Sequence, residues 1–391
     1  VQDWDLLPHL LYSPRLLEDV EVDPNLELKE SIVKTYAELV YANYEDAYNS
    51  AVDMKTAIDA FLADPTSVEK FEAAKTAWLV AREPYGQTEA FRFASGPIDA
   101  EDGPEGLLNA WPMDESYVDY VDGDLNAGII NDATNHPNIT KSYLEGLNEV
   151  GGEENVAVGY HAIEFLLWGQ DLTSPAEKRA GERPNTDFVD GGTASNADRR
   201  RQYLAACADL LLDHLQLMLD DWKPGGSYRT TFEGLETDVA FTNMLTGIGV
   251  LAKSELAGER IFTAYDNQDQ EDEHSCFSDN THRDTRLNAA GIRNVYTGCY
   301  IRTDGLSKIT GASISDLMEV IDPAFNQTVL DQMNKGLAAV EGTAIPFDFA
   351  ITDGGTRAQV LDAVNELRAF GDKISEVGAK LELTISTELP E

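Results

Sequence analysis

The sequence predicts an all-α protein made of two packed helical-bundle domains. Three observations lead to this fold class. Apolar residues recur every three or four positions over long segments, which is the spacing of a helix face. The alternation of apolar and polar residues that is typical of strands is scarce. Finally, a chain of 391 residues is longer than one hydrophobic core usually serves, so two domains are expected.

The first predicted element is one long helix that follows Asp23 and ends before Pro65. Asp23 is a suitable capping residue, and Pro24 fits the first helical turn. The apolar stripe of this helix includes Ile32, Tyr36, Val40, Tyr44, Ala47, Ala51, Met54, Ile58 and Phe61. At 1.5 Å per residue such a helix is roughly 60 Å long. Rods of this length are typical of helical bundles.

A second helix is predicted over 68–93, where Pro84 should kink or break it. The segment "KPGGSYR" at 223–229 combines Pro with paired Gly and separates a domain at 24–222 from a domain at 230–388. Further helices are predicted over 115–122, 140–149, 154–168, 196–222, 236–265, 283–301, 314–321, 323–341 and 355–383.

The charge of the chain excludes some classes of partner. There are 70 acidic and 29 basic residues, which gives a net charge of −41. Nucleic-acid binding needs clustered Lys and Arg, and docking on anionic lipid needs a basic surface, so neither is expected. A soluble acidic surface accounts for this composition, and attraction of cations is the alternative interpretation.

The three cysteines, Cys207, Cys276 and Cys299, are too few for a disulfide scaffold. A disulfide between Cys276 and Cys299 and three buried thiols are both compatible with the sequence. The first residues, "VQDWDLLPHL", have neither a basic n-region nor an apolar h-region. They also lack a lipobox cysteine, so we expect that a signal peptide or lipid anchor either precedes the first residue given or never existed.

The stretch "GYHAIEFLLWGQD" at 159–171 places a histidine and a glutamate in a segment that otherwise resembles core. His161 and Glu164 have i, i+3 spacing, so their side chains share one face of the predicted helix. Imidazole and carboxylate are both metal ligands, and helical bundles build metal sites from this kind of spacing. A buried hydrogen bond between the two side chains explains the same pattern.

A second charged stretch, "AREPYGQTEAFRF", adjoins the proline in the second helix. It contains Arg82, Glu83, Glu89 and Arg92. A solvated charged face would account for these residues. The proline favours a functional role, since broken helices often shape sites.

The third candidate region runs from "ELAGERIF" to the loop "EDEHSCFSDNTHRD". Glu255 and Glu259 are four residues apart, so they repel each other unless a cation or Arg260 lies nearby. The loop includes Asp279 and His282 among many oxygen donors, and such a density could bind a hard cation. It lacks the residue order of an EF-hand, and an acidic surface loop is the simpler interpretation.

These stretches together resemble the imelysin-like family, also called the peptidase M75 family. "GYHAIEFLLWGQD" resembles its G-x-H-x-x-E signature. "AREPYGQTEAFRF", "GPID", the pair Trp111-Pro112 and "FSDNTH" also look like stretches of its iron-regulated members. The resemblance covers about 35–385.

The resemblance implies two helical-bundle domains with a site near their interface. It implies a bacterial protein of the periplasm or cell surface, often associated with the outer membrane, and a link to iron uptake. The signature falls on Gly159, His161 and Glu164, with Glu89 as a companion. The family name comes from a member described as a metallopeptidase, which makes proteolysis an alternative.

We therefore predict a divalent-metal site with His161 and Glu164 as ligands. Glu89 is the first choice for a third ligand and Glu83 the second. Imidazole with carboxylates suits iron, zinc or manganese, and we expect iron or zinc. A metallopeptidase needs three ligands and a general base, and Glu164 cannot be both, so metal binding is favoured over hydrolysis. An interaction module with a vestigial site is a further alternative, and the expected partner is an iron-uptake or outer-membrane component.

Overall fold

The computed structural model describes residues 23–389, and helix α1 is its longest element. Helix α1 spans Leu26–Leu62, with the predicted stripe buried along one face. The Asp23 carboxylate accepts the backbone N–H of Asn25, so it supports the turn just before the helix. The predicted rod is confirmed, and its start is two residues later than the capping residue suggested.

Helix α2 spans Val68–Thr88 and continues as a 3₁₀ turn at Glu89–Phe91. Pro84 lies inside α2 and does not end it. The carbonyl oxygen of Pro84 accepts a hydrogen bond from Asn43 of α1, at 2.8 Å. The predicted break at Pro84 is therefore absent, the predicted kink stays a prediction, and the helix becomes 3₁₀ at Glu89.

The rest of the first half contains five short or medium helices and one long one. Loops join them, and the region between 170 and 196 contains only two 3₁₀ turns. The helices are α3 (Glu105–Leu108), α4 (Glu115–Val118), α5 (Gly128–Asn131), α6 (Lys141–Glu145), α7 (Gly159–Trp168) and α8 (Ala197–Trp222).

In the second half the predicted helix 236–265 is present, but its centre is a π-helix over Leu251–Phe262. This π-helix joins α10 to α11 without interruption. The other helices follow the predicted order, except that Ser227–Glu233 and Phe347–Thr352 form two further helices that were not predicted. The helices are α9 (Ser227–Glu233), α10 (Thr237–Val250), α11 (Thr263–Asn267), α12 (Thr281–Thr297), α13 (Ile314–Ile321), α14 (Pro323–Glu341), α15 (Phe347–Thr352) and α16 (Arg357–Lys380).

Two short strands interrupt the helical architecture. Strand β1 (Cys299–Ile301) pairs antiparallel with β2 (Lys308–Thr310). The prediction of a helix through 301 was wrong there, because Gly298 adopts φ +60° and ends α12. With only this hairpin as sheet among residues 23–389, the all-α fold class is confirmed.

The core is continuous between the two halves. Helix α1 packs on α2 and α8, while α16 packs on α14 and the π-helix. Helix α12 packs against α2 and so joins the halves. One cluster of buried apolar side chains extends from Ile32 to Leu381. The division into domains at 24–222 and 230–388 stays a prediction, and the site described below combines residues from both sides of it.

All three cysteines are free thiols, with Cys207 and Cys276 buried and Cys299 half-buried. The compatible alternative of a Cys276–Cys299 disulfide is therefore not what the structure has. Within the described part of the chain, no helix combines the length and apolar character needed to span a membrane.

Candidate metal site

The first residue of α7 must be glycine. Gly159 has φ +90°, and a Cβ added there would lie 2.7 Å from the carbonyl oxygen of Leu108. A side chain would therefore be strained by the backbone angle and would also clash. Every residue of α7 is buried. This glycine lets the helix begin in close contact with α3, which fixes the position of His161 two residues later.

The His161–Glu164 pair is formed as the helical spacing predicts. His161 Nδ1 lies 2.9 Å from Glu164 Oε2. Glu164 Oε1 accepts hydrogen bonds from the backbone N–H and the hydroxyl of Ser278, at 3.0 and 2.6 Å. Burial lowers the pKa of His161 well below its ordinary value, which keeps the ring neutral. Burial also raises the pKa of Glu164, to about 8.

The other ring nitrogen of His161 has no hydrogen-bond partner among residues 23–389. His161 Nε2 is buried without a hydrogen bond, in a residue that is 1% exposed. A buried polar atom without a partner is rare and costs free energy, so it is informative about function. The pair is therefore satisfied on its Nδ1 side and open on its Nε2 side.

A second histidine lies beside the first and is held in the same way. His274 Nδ1 lies 3.0 Å from Asp284 Oδ2, and its ring centroid is 4.7 Å from that of His161, edge to face. Burial lowers the pKa of His274. His274 Nε2 has only a long contact of 3.4 Å with the amide of Asn109. We call His161 and His274 the histidine pair.

A buried arginine balances the charge beside the histidine pair. Arg82 donates to Asp284 Oδ1 at 3.2 Å and to the side-chain oxygen of Asn109 at 2.5 Å. Burial alone would raise the pKa of Asp284, but Arg82 and His274 hold it well below its ordinary value. Asp284 is therefore ionised, and the neutral His274 must donate its Nδ1 proton to it. This leaves a lone pair on His274 Nε2.

A cavity of about 690 Å³ opens next to this group and is lined by His274, Asn109 and Trp111 among others. The Trp111 ring lies 4.9 Å from His161 and 6.4 Å from His274, centroid to centroid. Two arginines and seven acidic residues complete the ionisable lining. These are Arg92, Arg260, Glu105, Glu149, Glu153, Glu154, Glu255, Glu259 and Asp272. Such a wall attracts cations.

The two glutamates chosen as third ligands have other partners. Glu89 accepts from Arg260 at 2.6 Å and from Asn109 at 3.3 Å, and it is buried. Glu83 binds Arg283 through both oxygens, at 2.8 and 2.6 Å, with 40% of its side chain exposed. Among residues 23–389, a single set of three ligand atoms from His, Cys, Asp or Glu side chains lies within 4.8 Å of one another. This set contains neither Glu89 nor Glu83, and it contains neither His161 nor Glu164.

The π-helix explains the pairing of the next two candidates. A π-helix places residues i and i+5 one above the other, and Arg260 accordingly donates to Glu255 at 3.0 Å. Arg260 thus pairs with Glu255, as the repulsion between Glu255 and Glu259 required, and also with Glu89. Glu259 is exposed at the cavity wall.

The remaining candidates lie around the loop and the cavity. Arg92 pairs with Asp99 and Glu105, at 3.0 Å each. His282 donates to the carbonyl oxygen of Asp279 at 2.9 Å. Asp279 itself lies in a different group of carboxylates, which is described below.

Sequence reasoning missed His274, Asp284, Asn109 and Ser278 as members of the site. His274 and Asp284 are ten residues apart across a loop and a helix start, so no helical spacing connects them. The sequence signal for these residues was the stretch "EHSCFSDNTHRD", in which His274 comes shortly before the buried Cys276 and Phe277. Burial of Cys276 and Phe277 anchors this loop against α7.

Comparisons with known proteins agree with this architecture. A 26% identical relative over 348 residues is iron-regulated protein A of Synechococcus elongatus, with 86% of this chain and 82% of that protein covered. A crystal structure of a protein described as an iron-regulated protein A precursor from Parabacteroides distasonis has a TM-score of 0.69 at 20% identity. It covers 92% of this chain and 97% of that one.

An imelysin-like protein from Psychrobacter arcticum has the same fold, with a TM-score of 0.63 at 13% identity over 93% of this chain and 99% of that one. The sequence profile of the imelysin family, peptidase M75, matches residues 40–374. That range contains α7, the histidine pair and the loop that supplies Ser278. This chain therefore belongs to the imelysin family.

Proposed function

We propose that this protein binds a transition-metal ion at the histidine pair and serves iron acquisition outside the cytoplasm. The observation that carries the proposal is the buried Nε2 of His161, which has no hydrogen-bond partner. A metal ion is a partner that would satisfy this atom. The ion is the cargo of the protein in this proposal.

The arrangement of the two rings supports metal binding. Histidines that bind metals usually donate their other ring N–H to a carboxylate, which orients the ring and makes the free nitrogen a better ligand. Glu164 has this position for His161, and Asp284 has it for His274. Glu164 then acts by orienting the ligand His161, which changes the role that spacing alone suggested for it.

The shortage of further ligands favours capture of a metal over hydrolysis. Two imidazole nitrogens leave most coordination positions to water or to a molecule that arrives with the metal. A catalytic zinc site usually has three protein ligands. Iron and zinc both accept imidazole, so both remain candidates. The acidic cavity wall supports the proposal because it would concentrate cations beside the rings.

The relatives support the link to iron. One of them is named for regulation by iron. The location in the periplasm or at the cell surface, and the partner in an iron-uptake or outer-membrane system, are parts of the same proposal. Fractionation of the native host under iron limitation would test the location.

The metal site is tested by titrating metal-free protein with Zn²⁺ and, without oxygen, with Fe²⁺ in a calorimeter. His161→Ala and His274→Ala should each weaken binding by more than tenfold, because each removes a ligand. His214→Ala is a matched control. His214 is also buried, lies 3.1 Å from Glu145 and has an unpartnered Nδ1, but within residues 23–389 its ring contacts no second histidine.

Equal affinity in all four proteins would contradict the proposal and leave His161–Glu164 as a core hydrogen bond. A protease assay of the metal-loaded protein tests the peptidase alternative. Cleavage that a chelator abolishes and His161→Ala abolishes would favour hydrolysis over capture.

A further inference from the structure

A group of carboxylates lies apart from the histidine pair. Asp171, Asp279 and Asp348 each offer an oxygen, and the three oxygens lie within 4.8 Å of one another. Asp171 and Asp348 are buried, at 3% and 1% exposure, and Asp279 is half-buried. Glu273, buried at 1%, lies close by, and burial followed by the charges of Asp348 and Asp279 raises its pKa well above the ordinary value. We call the three aspartates with Glu273 the carboxylate cluster.

Among residues 23–389, several oxygens of this cluster have no hydrogen-bond partner. Asp348 Oδ2 and Asp279 Oδ1 are buried without a hydrogen-bond partner, and so are both oxygens of Glu273. Asp171 uses Oδ1 for the backbone N–H of Thr173, at 2.9 Å. Unpaired buried carboxylates are costly, and their concentration in one place indicates a missing partner.

The surrounding protein does not supply a neutralising cation. Within residues 23–389, none of the four acids is part of an ion pair. Lys178 is the nearest basic group that affects Asp348, and its ammonium lies 3.6 Å above the ring of Phe349. Burial first, and then the neighbouring acids, raises the pKa of Asp279, to about 7. Lys178 and Arg179 act to lower the pKa of Asp348 and Asp171, but neither forms an ion pair with them, so like charges stay close together.

The three aspartates of the cluster lie on separate segments of the backbone. Asp279 adopts φ +57°, a conformation that non-glycine residues rarely adopt without a reason. Asp171 follows α7 and Asp348 lies in the first turn of α15, while Asp279 lies in the loop before α12. Three separate segments thus converge on one point.

We propose that Asp171, Asp279 and Asp348 form a binding site for a hard divalent cation such as Ca²⁺. Aspartate oxygens are the donors that Ca²⁺ prefers, at 2.3–2.6 Å, with carbonyls and water as further ligands. A site without nitrogen or sulfur donors discriminates against zinc and favours calcium, magnesium or manganese. This site is separate from the histidine pair and does not depend on the function proposed for it.

The cation would fix the loop between Glu273 and Asp284. This loop supplies Asp279 to the carboxylate cluster, and it supplies His274 and Ser278 to the other site. A cation at the cluster would therefore have a structural role that stabilises the folded protein.

The experiment uses the full chain, freed of metals with EDTA and titrated with CaCl₂ in a calorimeter, with melting curves in parallel. NaCl of equal ionic strength controls for screening of the large net charge. Binding of one Ca²⁺ should raise Tm by about 2–4 °C at saturating concentration. Asp348→Asn and Asp279→Asn should each weaken Ca²⁺ binding at least tenfold and remove the rise in Tm.

Asp53→Asn is the control variant, since Asp53 is an exposed acid on α1. It should bind Ca²⁺ like the unmodified protein. His161→Ala should also keep its Ca²⁺ response, which separates this site from the histidine pair. No heat and no rise in Tm for the unmodified protein, or an equal rise in every variant, would overturn the proposal. The first result would mean that the carboxylates share protons instead.

Discussion

The histidine pair and the carboxylate cluster share two stretches of chain, but their charges are balanced in different ways. The stretch that contains α7 gives His161 to one and Asp171 to the other, and the following loop gives His274 and Asp279. Beside the histidines, the buried Arg82 compensates Asp284 at 3.1 Å. Among residues 23–389, no basic side chain forms an ion pair with the aspartates, although Lys178 and Arg179 act on two of them from further away.

Because of this difference, a bound metal would have a different effect at each site. The histidine pair is neutral and its carboxylates are hydrogen-bonded, so it can stay folded and open until a metal arrives. The carboxylates of the cluster repel one another, so the folded protein would be most stable with a cation always bound at this site. The first arrangement suits a cargo and the second suits a structural ion.

The largest expected effect comes from removing the arginine that balances the histidine side. Arg82→Met would leave Asp284 as an uncompensated buried charge, which costs about 3–5 kcal/mol of unfolding free energy. Urea unfolding in EDTA measures this loss. Arg179→Met is the control, because Arg179 is exposed and solvent screens its ion pairs, so little change in unfolding free energy is expected. Equal losses in both variants would remove the assigned role of Arg82.

The next effect concerns the carboxylate that orients His161. Glu164→Gln keeps the size of the side chain but cannot ionise to a carboxylate when a metal binds His161, so we expect Zn²⁺ affinity to fall about 10–100-fold. Far-ultraviolet circular dichroism should stay the same. Glu145→Gln, beside His214, is the matched change and should leave Zn²⁺ affinity intact. If Glu164→Gln also bound Zn²⁺ normally, the carboxylate would not tune the ligand.

At the carboxylate cluster, removal of a charged side chain should increase the unfolding free energy, whereas removal of Arg82 should lower it. In EDTA, Asp348→Asn removes one of several repelling charges, so the unfolding free energy should rise by about 1 kcal/mol, a common size for single substitutions. With Ca²⁺ present, the order of stability should reverse. Urea unfolding with and without Ca²⁺ measures both values. A loss of stability in EDTA would indicate that Asp348 already has a stabilising partner.

The smallest effect is expected at Glu83, whose ion pair with Arg283 is partly exposed. Glu83→Gln should change the unfolding free energy by at most about 1 kcal/mol. It should leave the Zn²⁺ affinity unchanged, because Glu83 faces Arg283 and no set of close ligand atoms within residues 23–389 includes it. A clear loss of Zn²⁺ affinity would return Glu83 to the ligand set.

The sequence by itself determined what depends on local spacing. Helix α1, the boundaries of α8 and α14, and the partnership of His161 with Glu164 all follow from periodic patterns within one element. The physical reason is that helical geometry fixes which neighbours along the chain share a face. The family signature could likewise be read at Gly159, whose backbone angle no other residue adopts as easily.

Only the tertiary structure decided which distant residues meet. His274 reaches His161 because the loop before α12 is anchored on α7, and Asp348 reaches Asp171 because α15 returns to the end of that helix. The partners of Glu89 and Glu83 were also decided there, since nearby arginines from the second half occupy both. Sequence spacing contains no information on such contacts, because they depend on how whole helices pack.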